Sequence, residues 1–233
     1  KCLFRGVAPG GLFRLWGTSK GFSVVQGRGL RRVGTEAELK NPSVIALQRW
    51  DDAIWAATPN GNVHRIEGDA WQWYRPFCDG PGCYAVDDMV LDPESSVLYC
   101  VSYTDGLWAI GANQTAGFCM VPGNDLPLKG YSDSETDPLG GIYLFNRESV
   151  MHYREPDGPE HVLSAGDLGL HVGWITDVSA APDGSLWIAS DYGLFCWAVR
   201  GRERSHPTVR TASGRLVIKS RNKSRRRRSR ILV

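Results

Sequence analysis

The chain of 233 residues is 42% hydrophobic and 22% charged, with Gly 27, Trp 9 and Tyr 8. That is enough apolar material for a sizeable core, and no run reaches the length of about 20 apolar residues that crosses a bilayer as a helix. The net charge of +2 hides two regions of opposite sign: residues 202–233 hold 12 Lys/Arg against Glu203 alone, leaving 15 against 24 in residues 1–201. Contact with a nucleic acid or an anionic surface is therefore expected through the tail only.

Taken in chain order, short extended runs alternate with polar turns. Leu15-Trp16-Gly17-Thr18 and Gly21 to Val25 open a first repeat, around residues 12–40. A second, around 41–75, reads Val44 to Leu47, Asp51-Asp52, Ile54 to Ala57, Pro59-Asn60-Gly61-Asn62 and Val63 to Ile66. The third, around 84–122, has Val86 to Leu91, the turn Asp92-Pro93, Val97 to Val101, Thr104-Asp105-Gly106 and Leu107 to Ile110. Around 130–165 the fourth is more degenerate, with Asp137-Pro138, Ile142 to Phe145 and Val150 to Tyr153. In the fifth, around 172–200, Trp174 to Val178, Pro182-Asp183-Gly184, Leu186 to Ser190, Asp191-Tyr192-Gly193 and Leu194 to Trp197 form three strands and two turns. Gly, Pro, Asn and Asp at those turns supply the backbone angles that strands cannot.

A fixed ruler runs through the repeats: Trp55, Tyr99, Tyr143 and Trp187 are each 44 positions apart, and Trp16 lies 39 before Trp55. A strand-rich repeat of roughly 40–50 residues is the pattern of a β-propeller, one repeat to a blade. The fold class expected is all-β, a propeller of about five visible four-stranded blades over residues 1–200, either a closed ring or part of a larger one. A bulky ring at the same place in every blade acts as the wedge between adjacent sheets, and burying one contributes roughly 1.5–3 kcal/mol.

Asp88, Asp133 and Asp177 recur at one place in three repeats, on the first strand. If they faced a common channel, their charges would raise one another's pKa or recruit a cation such as Ca²⁺. The alternative is a repeated architectural hydrogen bond to backbone N–H groups. Cys78 and Cys83 bracket Asp79-Gly80-Pro81-Gly82, a turn that could close a disulfide, whereas their spacing does not suit zinc. His64 and His152, 88 positions apart, read as equivalent places in two repeats. No nucleophile elbow, phosphate loop or metalloprotease helix is present, so no catalytic residue is assigned. Residues 201–233, ending in Arg225-Arg226-Arg227-Arg228, read as a basic disordered tail.

The run Ile175-Thr176-Asp177, Pro182-Asp183-Gly184-Ser185-Leu186-Trp187-Ile188-Ala189-Ser190 and Tyr192-Gly193-Leu194 resembles the repeat of two-component regulator propellers, echoed by Leu15 to Thr18 and Ile54 to Thr58. That resemblance implies a non-catalytic sensor or binding module outside the cytoplasm, extracellular or periplasmic, taking a protein, small-molecule or glycan ligand without a cofactor. The phrase from Ile54 to Trp73 is similar to tectonin repeats, the second family in view. Two other functions fit a propeller: an enzyme, a lyase or glycan-active hydrolase with acidic residues as acid or base, and an intracellular scaffold whose tail binds polyanions.

Overall fold

The computed structural model describes residues 43–67, 70–75, 85–111, 130–169 and 173–197, together with strand backbones at 3–8, 11–18, 21–26, 29–33, 119–120, 208–210 and 216–218. Its strands form successive antiparallel sheets in which each strand pairs with the next in sequence. The first sheet comprises β1 (Leu3–Ala8), β2 (Gly11–Thr18), β3 (Gly21–Gln26) and β4 (Gly29–Val33). The second comprises β5 (Ala46–Trp50), β6 (Ala53–Ala57), β7 (Val63–Glu67) and β8 (Ala70–Tyr74), and the third β9 (Asp88–Asp92), β10 (Val97–Ser102), β11 (Gly106–Ile110) and β12 (Cys119–Met120). The fourth holds β13 (Asp133–Thr136), β14 (Ile142–Phe145), β15 (Ser149–Arg154) and β16 (Gly158–Ser164), followed by one 3₁₀ turn at Ala165–Leu168. The fifth pairs β17 (Ile175–Ala180), β18 (Leu186–Ser190) and β19 (Gly193–Trp197). Among the described residues no fourth strand is hydrogen-bonded to it, although β20 (Thr208–Arg210) lies beside β19 and pairs with β21 (Leu216–Ile218) inside the basic tail.

First strands of consecutive sheets are neighbours, β1 to β5, β5 to β9, β9 to β13 and β13 to β17. Sheets that meet along their first strands radiate from one axis, the arrangement of a β-propeller. Register shows why the aromatic ruler is regular. Trp55 stands opposite Gln48, Tyr99 opposite Val90, Tyr143 opposite Glu135 and Trp187 opposite Ser179, so all four occupy one place on the second strand. Side chains alternate across a strand, and that place points each ring at the following sheet.

The core is thus a series of inter-sheet layers. Trp55, Trp50, Ala53 and Val63 of the second sheet pack on Met89, Leu98, Cys100 and Ile110 of the third. Tyr99, Val90, Val101 and Leu107 of the third pack on Ile142, Leu144, Met151 and Tyr153 of the fourth, with Tyr99 and Tyr153 edge to face at 5.7 Å. Tyr143, Phe145 and Val150 of the fourth pack on Val178, Leu186, Ile188 and Phe195 of the fifth. Exposure separates one ruler residue from the others: Trp55, Tyr99 and Tyr143 are 0%, 1% and 4% exposed, and Trp187 is 40%. The wedge role expected of Trp187 is not filled here, because no sheet among the described residues covers that face. Trp16 lies on β2, the corresponding second strand, and its side chain is outside the described residues, as are Cys78 and Cys83.

One expected equivalence fails. His152 faces Tyr143, whereas the residue facing Trp55 is Arg65, and His64 faces Ala56. Ten positions separate Trp55 from its partner and nine separate Tyr143 from its own, and a shift of one residue turns a side chain to the opposite face of the sheet. Consequently His64 is buried on the far face of its sheet, 1% exposed, while His152 lies beneath Tyr143 with ring centroids 4.8 Å apart.

Candidate functional site

Strand order fixes which loops share an end of the disc. In an up-and-down sheet the crossover into the first strand and the turn between second and third strands lie at one end. Asp88 stands opposite Val101, Asp133 opposite Phe145 and Asp177 opposite Ala189, so all three lie in the first part of their strands, toward that end, in equivalent register. The second sheet has Ala46, opposite Ala57, in this position.

Register sets the sheet face on which the three aspartates lie. Each lies two residues before the residue opposite its ruler aromatic, and therefore on the same sheet face, turned toward the next sheet. Asp88 shows the use of that orientation: its Oδ1 accepts from the Met89 N–H at 2.8 Å, and its Oδ2 accepts from the N–H and hydroxyl of Ser134 on the neighbouring first strand, at 2.9 and 2.7 Å. The Val178 N–H likewise donates to Asp177 Oδ1 at 2.9 Å. Asp133 accepts from the Ser132 hydroxyl at 2.7 Å and is exposed. Among the described residues no three His, Cys, Asp or Glu side chains come together to hold a metal ion. The architectural hydrogen bond explains Asp88 best.

Glu135, which the sequence reading passed over, continues the pattern. It accepts from the Ser179 hydroxyl and the Ala180 N–H of the fifth sheet, both at 3.3 Å. Beside it, Thr136 donates to the Leu91 carbonyl of the third sheet at 2.9 Å. Burial raises the Asp88 pKa from 3.8 to about 7 despite its three donors, with a smaller push from Asp133. Burial also raises Glu135, and Asp177 adds to the effect. At the opposite end of the disc, burial pushes Asp137 up, but His152, the Leu139 N–H and Tyr143 together outweigh it and hold the carboxyl below its usual range.

These shifts set a pH dependence. Asp88 and Glu135 keep their protons longer in the folded chain than in the unfolded one, so their contribution is complete below their unfolded pKa values. For Asp88 it is lost as the pH rises from about 4 to about 7. One pKa unit corresponds to about 1.4 kcal/mol, and allowing for the water that reaches this half-buried residue, the loss is on the order of 2 kcal/mol. Asp137 works the other way, its contribution vanishing only in acid, below its unfolded pKa. Urea midpoints are therefore expected to fall between pH 5 and pH 8, and the Asp88→Asn chain should show a markedly flatter profile. A wild-type profile that rises over this interval would contradict the assignment.

The same end of the disc carries a second kind of residue that sequence reasoning missed. Tyr103 and Tyr192, on the turns between second and third strands of the third and fifth sheets, are exposed, and so is Trp174, just ahead of β17. Local bonds hold these turns. The Tyr103 N–H donates to Asp87 Oδ2 at 2.7 Å, the Trp174 N–H to Asp191 Oδ2 at 3.3 Å, and the Tyr192 N–H to the Ser190 hydroxyl at 3.1 Å. The guanidinium of Arg147, on the equivalent turn of the fourth sheet, lies 5.5 Å from the Trp174 ring centroid, a cation–π arrangement. Anchored turns presenting large rings to solvent are the geometry of a binding surface on a rigid scaffold. The turn spellings Thr104-Asp105-Gly106 and Asp191-Tyr192-Gly193 were visible in sequence; what they present outward was not.

Comparison with known proteins places the fold. No family profile matches the chain, and no curated protein matches it. Among solved structures, the extracellular domain of a hybrid two component system from B. thetaiotaomicron is similar at 14% identity and a TM-score of 0.62, over 93% of this chain and 32% of that one. PorZ, a surface component of the type-IX secretion system of Porphyromonas gingivalis, is similar at 12% identity and a TM-score of 0.62, over 88% of this chain and 34% of its own. A catalytically inactive virginiamycin B lyase from Staphylococcus aureus, crystallised with quinupristin, is similar at 10% identity and a TM-score of 0.60, over 94% of this chain and 70% of its own. The chain thus spans about a third of the length of the sensor domain and of PorZ. At these identities the likeness defines the class, an all-β propeller-like protein, and leaves its activity open. No helix among the described residues is long and apolar enough to cross a membrane.

Proposed function

We propose that this chain is a non-catalytic propeller module that binds a protein, small-molecule or glycan ligand with the disc end bearing Tyr103, Trp174 and Tyr192. The observation that carries the reading is a division of labour along the first strands and turns. The inner carboxylates Asp88 and Glu135 are occupied in joining sheets, whereas the aromatic side chains at the same end face solvent. A sensor of the two-component regulator propeller type, acting extracellularly or in the periplasm, is the finer form of this reading. Its support is the repeat spelling from Ile175 to Leu194 and the similarity to an extracellular sensor domain.

An acid–base enzyme is the second reading, favoured by the likeness to a lyase and by an aspartate with a pKa near neutrality. Against it, both oxygens of Asp88 already accept hydrogen bonds from the protein, leaving a poor base for a substrate. Screening the chain on a glycan and peptide array tests the first reading. Any ligand so found should bind at least about tenfold more weakly to the Tyr103→Ala/Tyr192→Ala chain, the loss expected from removing one good aromatic contact or more, with the urea midpoint unchanged. Binding that survives this double substitution and also Trp174→Ala would remove the face from consideration. Turnover abolished by Asp177→Ala would favour the enzyme.

A further inference from the structure

The fifth sheet presents toward its open side the same surface that the second, third and fourth sheets bury. Register puts Asp177, Ser179, Trp187, Ala189, Leu194 and Cys196 on that face. Trp187 and Leu194 are 40% and 43% exposed, and Cys196 is a free, half-buried thiol. In the three preceding interfaces the equivalent ring is covered each time by aliphatic side chains of the following sheet: Met89 and Leu98 over Trp55, Ile142 and Leu144 over Tyr99, and Val178 and Ile188 over Tyr143.

Hydrogen bonding tells the same story independently of the apolar contacts. Asp88 and Asp177 share a register position and each spends Oδ1 on the next residue's N–H. For Asp88 the other oxygen accepts the N–H and hydroxyl of Ser134 from the following sheet. For Asp177, exposed at the edge of the fifth sheet, the structure supplies no such donor among the described residues. One carboxylate has its incoming strand and the other is arranged to receive one.

We infer that the open face of the fifth sheet is an interface for a further propeller blade. This occupant is a strand-turn-strand sheet with an aliphatic rear face over Trp187 and Leu194, and a first strand that donates an N–H and a Ser or Thr hydroxyl to Asp177 Oδ2. The inference does not depend on the ligand-binding reading. Continuity with three interfaces that bury the equivalent ring identifies the occupant as a blade, since the fourth and fifth sheets each combine both features: an aliphatic rear face and first-strand donors aimed backward. A second copy of the chain, or nothing, is what the test must distinguish from it.

The experiment extends the full chain by inserting a second copy of residues 130–169 between Trp197 and the tail. In the chain itself these residues already cover Tyr99 and already supply Ser134 to Asp88. Iodide quenching of Trp187, read as the difference from the Trp187→Phe version of each chain, is expected to drop at least about threefold on insertion, with a rise of about 4–8 °C in Tm. Placing Asp at both inserted positions that correspond to Ile142 and Leu144 should abolish the protection, and Asp177→Ala should reverse most of the Tm gain. Unchanged quenching of Trp187 in the extended chain overturns the proposal. So does a dimer of the unextended chain, by analytical ultracentrifugation, in which Trp187 is already protected and which Trp187→Asp dissociates, because the occupant is then a second copy.

Discussion

Truncating Trp55 to Ala is expected to destabilise the chain by about 3–5 kcal/mol, while the same substitution at Trp187 costs under about 1 kcal/mol, although the two residues occupy one register position. Trp55 is completely buried, lies 5.8 Å from Trp50 and 5.6 Å from Tyr74 between ring centroids, and shares its cluster with Met89 and Leu98 of the next sheet. Removing its indole leaves a cavity between two rigid sheets that cannot close without breaking strand pairing. Trp187 has neighbours on one side only, and water fills the space it vacates. Against the usual total of about 5–15 kcal/mol, the Trp55 loss leaves a chain substantially unfolded under mild stress. Urea denaturation followed by far-UV circular dichroism measures both, and a lowered midpoint with constant slope identifies lost stability rather than a changed denatured state. Equal losses at the two tryptophans would contradict the one-sided packing of the fifth sheet.

This contrast also marks how far sequence carries. The interval of 44 between Trp55, Tyr99, Tyr143 and Trp187 is legible because ring, strand register and blade length are one constraint repeated. Burial of a particular ring is not, since it depends on whether a following sheet exists to cover it. The histidines show a second limit. Residues 88 apart share a place only if every intervening turn has the same length, and the turn from Thr58 to Asn62 adds one residue, enough to reverse the face of His64.

The candidate site divides in the same manner. Asp88, Asp133 and Asp177 were recognisable as a recurring position because Asp133 and Asp177 are 44 apart and Asp88 and Asp177 each lie five residues before a turn proline, Pro93 and Pro182. What they meet was not legible: being on the first strand suggests a channel, and only the structure shows Asp88 joined to Ser134 of the next sheet. Glu135 was overlooked because the repeat does not carry an acid there in every copy. It faces Tyr143, whereas the residues facing Tyr99 and Trp187 are Val90 and Ser179. Tyr103, Trp174 and Tyr192 sit in or beside turns, where sequence grammar reports backbone angles and says nothing of what a side chain meets.

Gly141→Ala is expected to cost about 3 kcal/mol or more, the largest penalty of any glycine-to-alanine change among the described residues of the fourth sheet. Gly141 has φ +89°, and an added Cβ would stand 2.6 Å from the Tyr153 carbonyl oxygen and 3.0 Å from His152 Nε2. That oxygen belongs to backbone already committed to the β14–β15 ladder, where Ile142 faces Tyr153, so it cannot withdraw without unzipping the pair. His152 is no freer to move, because its Nε2 lies 3.0 Å from Asp137 Oδ2. Strain from the left-handed backbone adds about 1–2 kcal/mol to the clash. Two neighbours calibrate the effect. At Gly140, with φ +100°, the Cβ would collide with Glu94 Oε2, the far end of an exposed side chain that can swing aside at the expense of its surface ion pair with Arg154, so about 1–2 kcal/mol is expected. At Gly158, with φ +81° and nothing within 4 Å, only the backbone term of about 1 kcal/mol remains. The order Gly141, Gly140, Gly158 in urea midpoints, largest loss first, is the test. A Gly141→Ala chain no less stable than Gly158→Ala would mean that the second and third strands of this sheet are not locked in the register described.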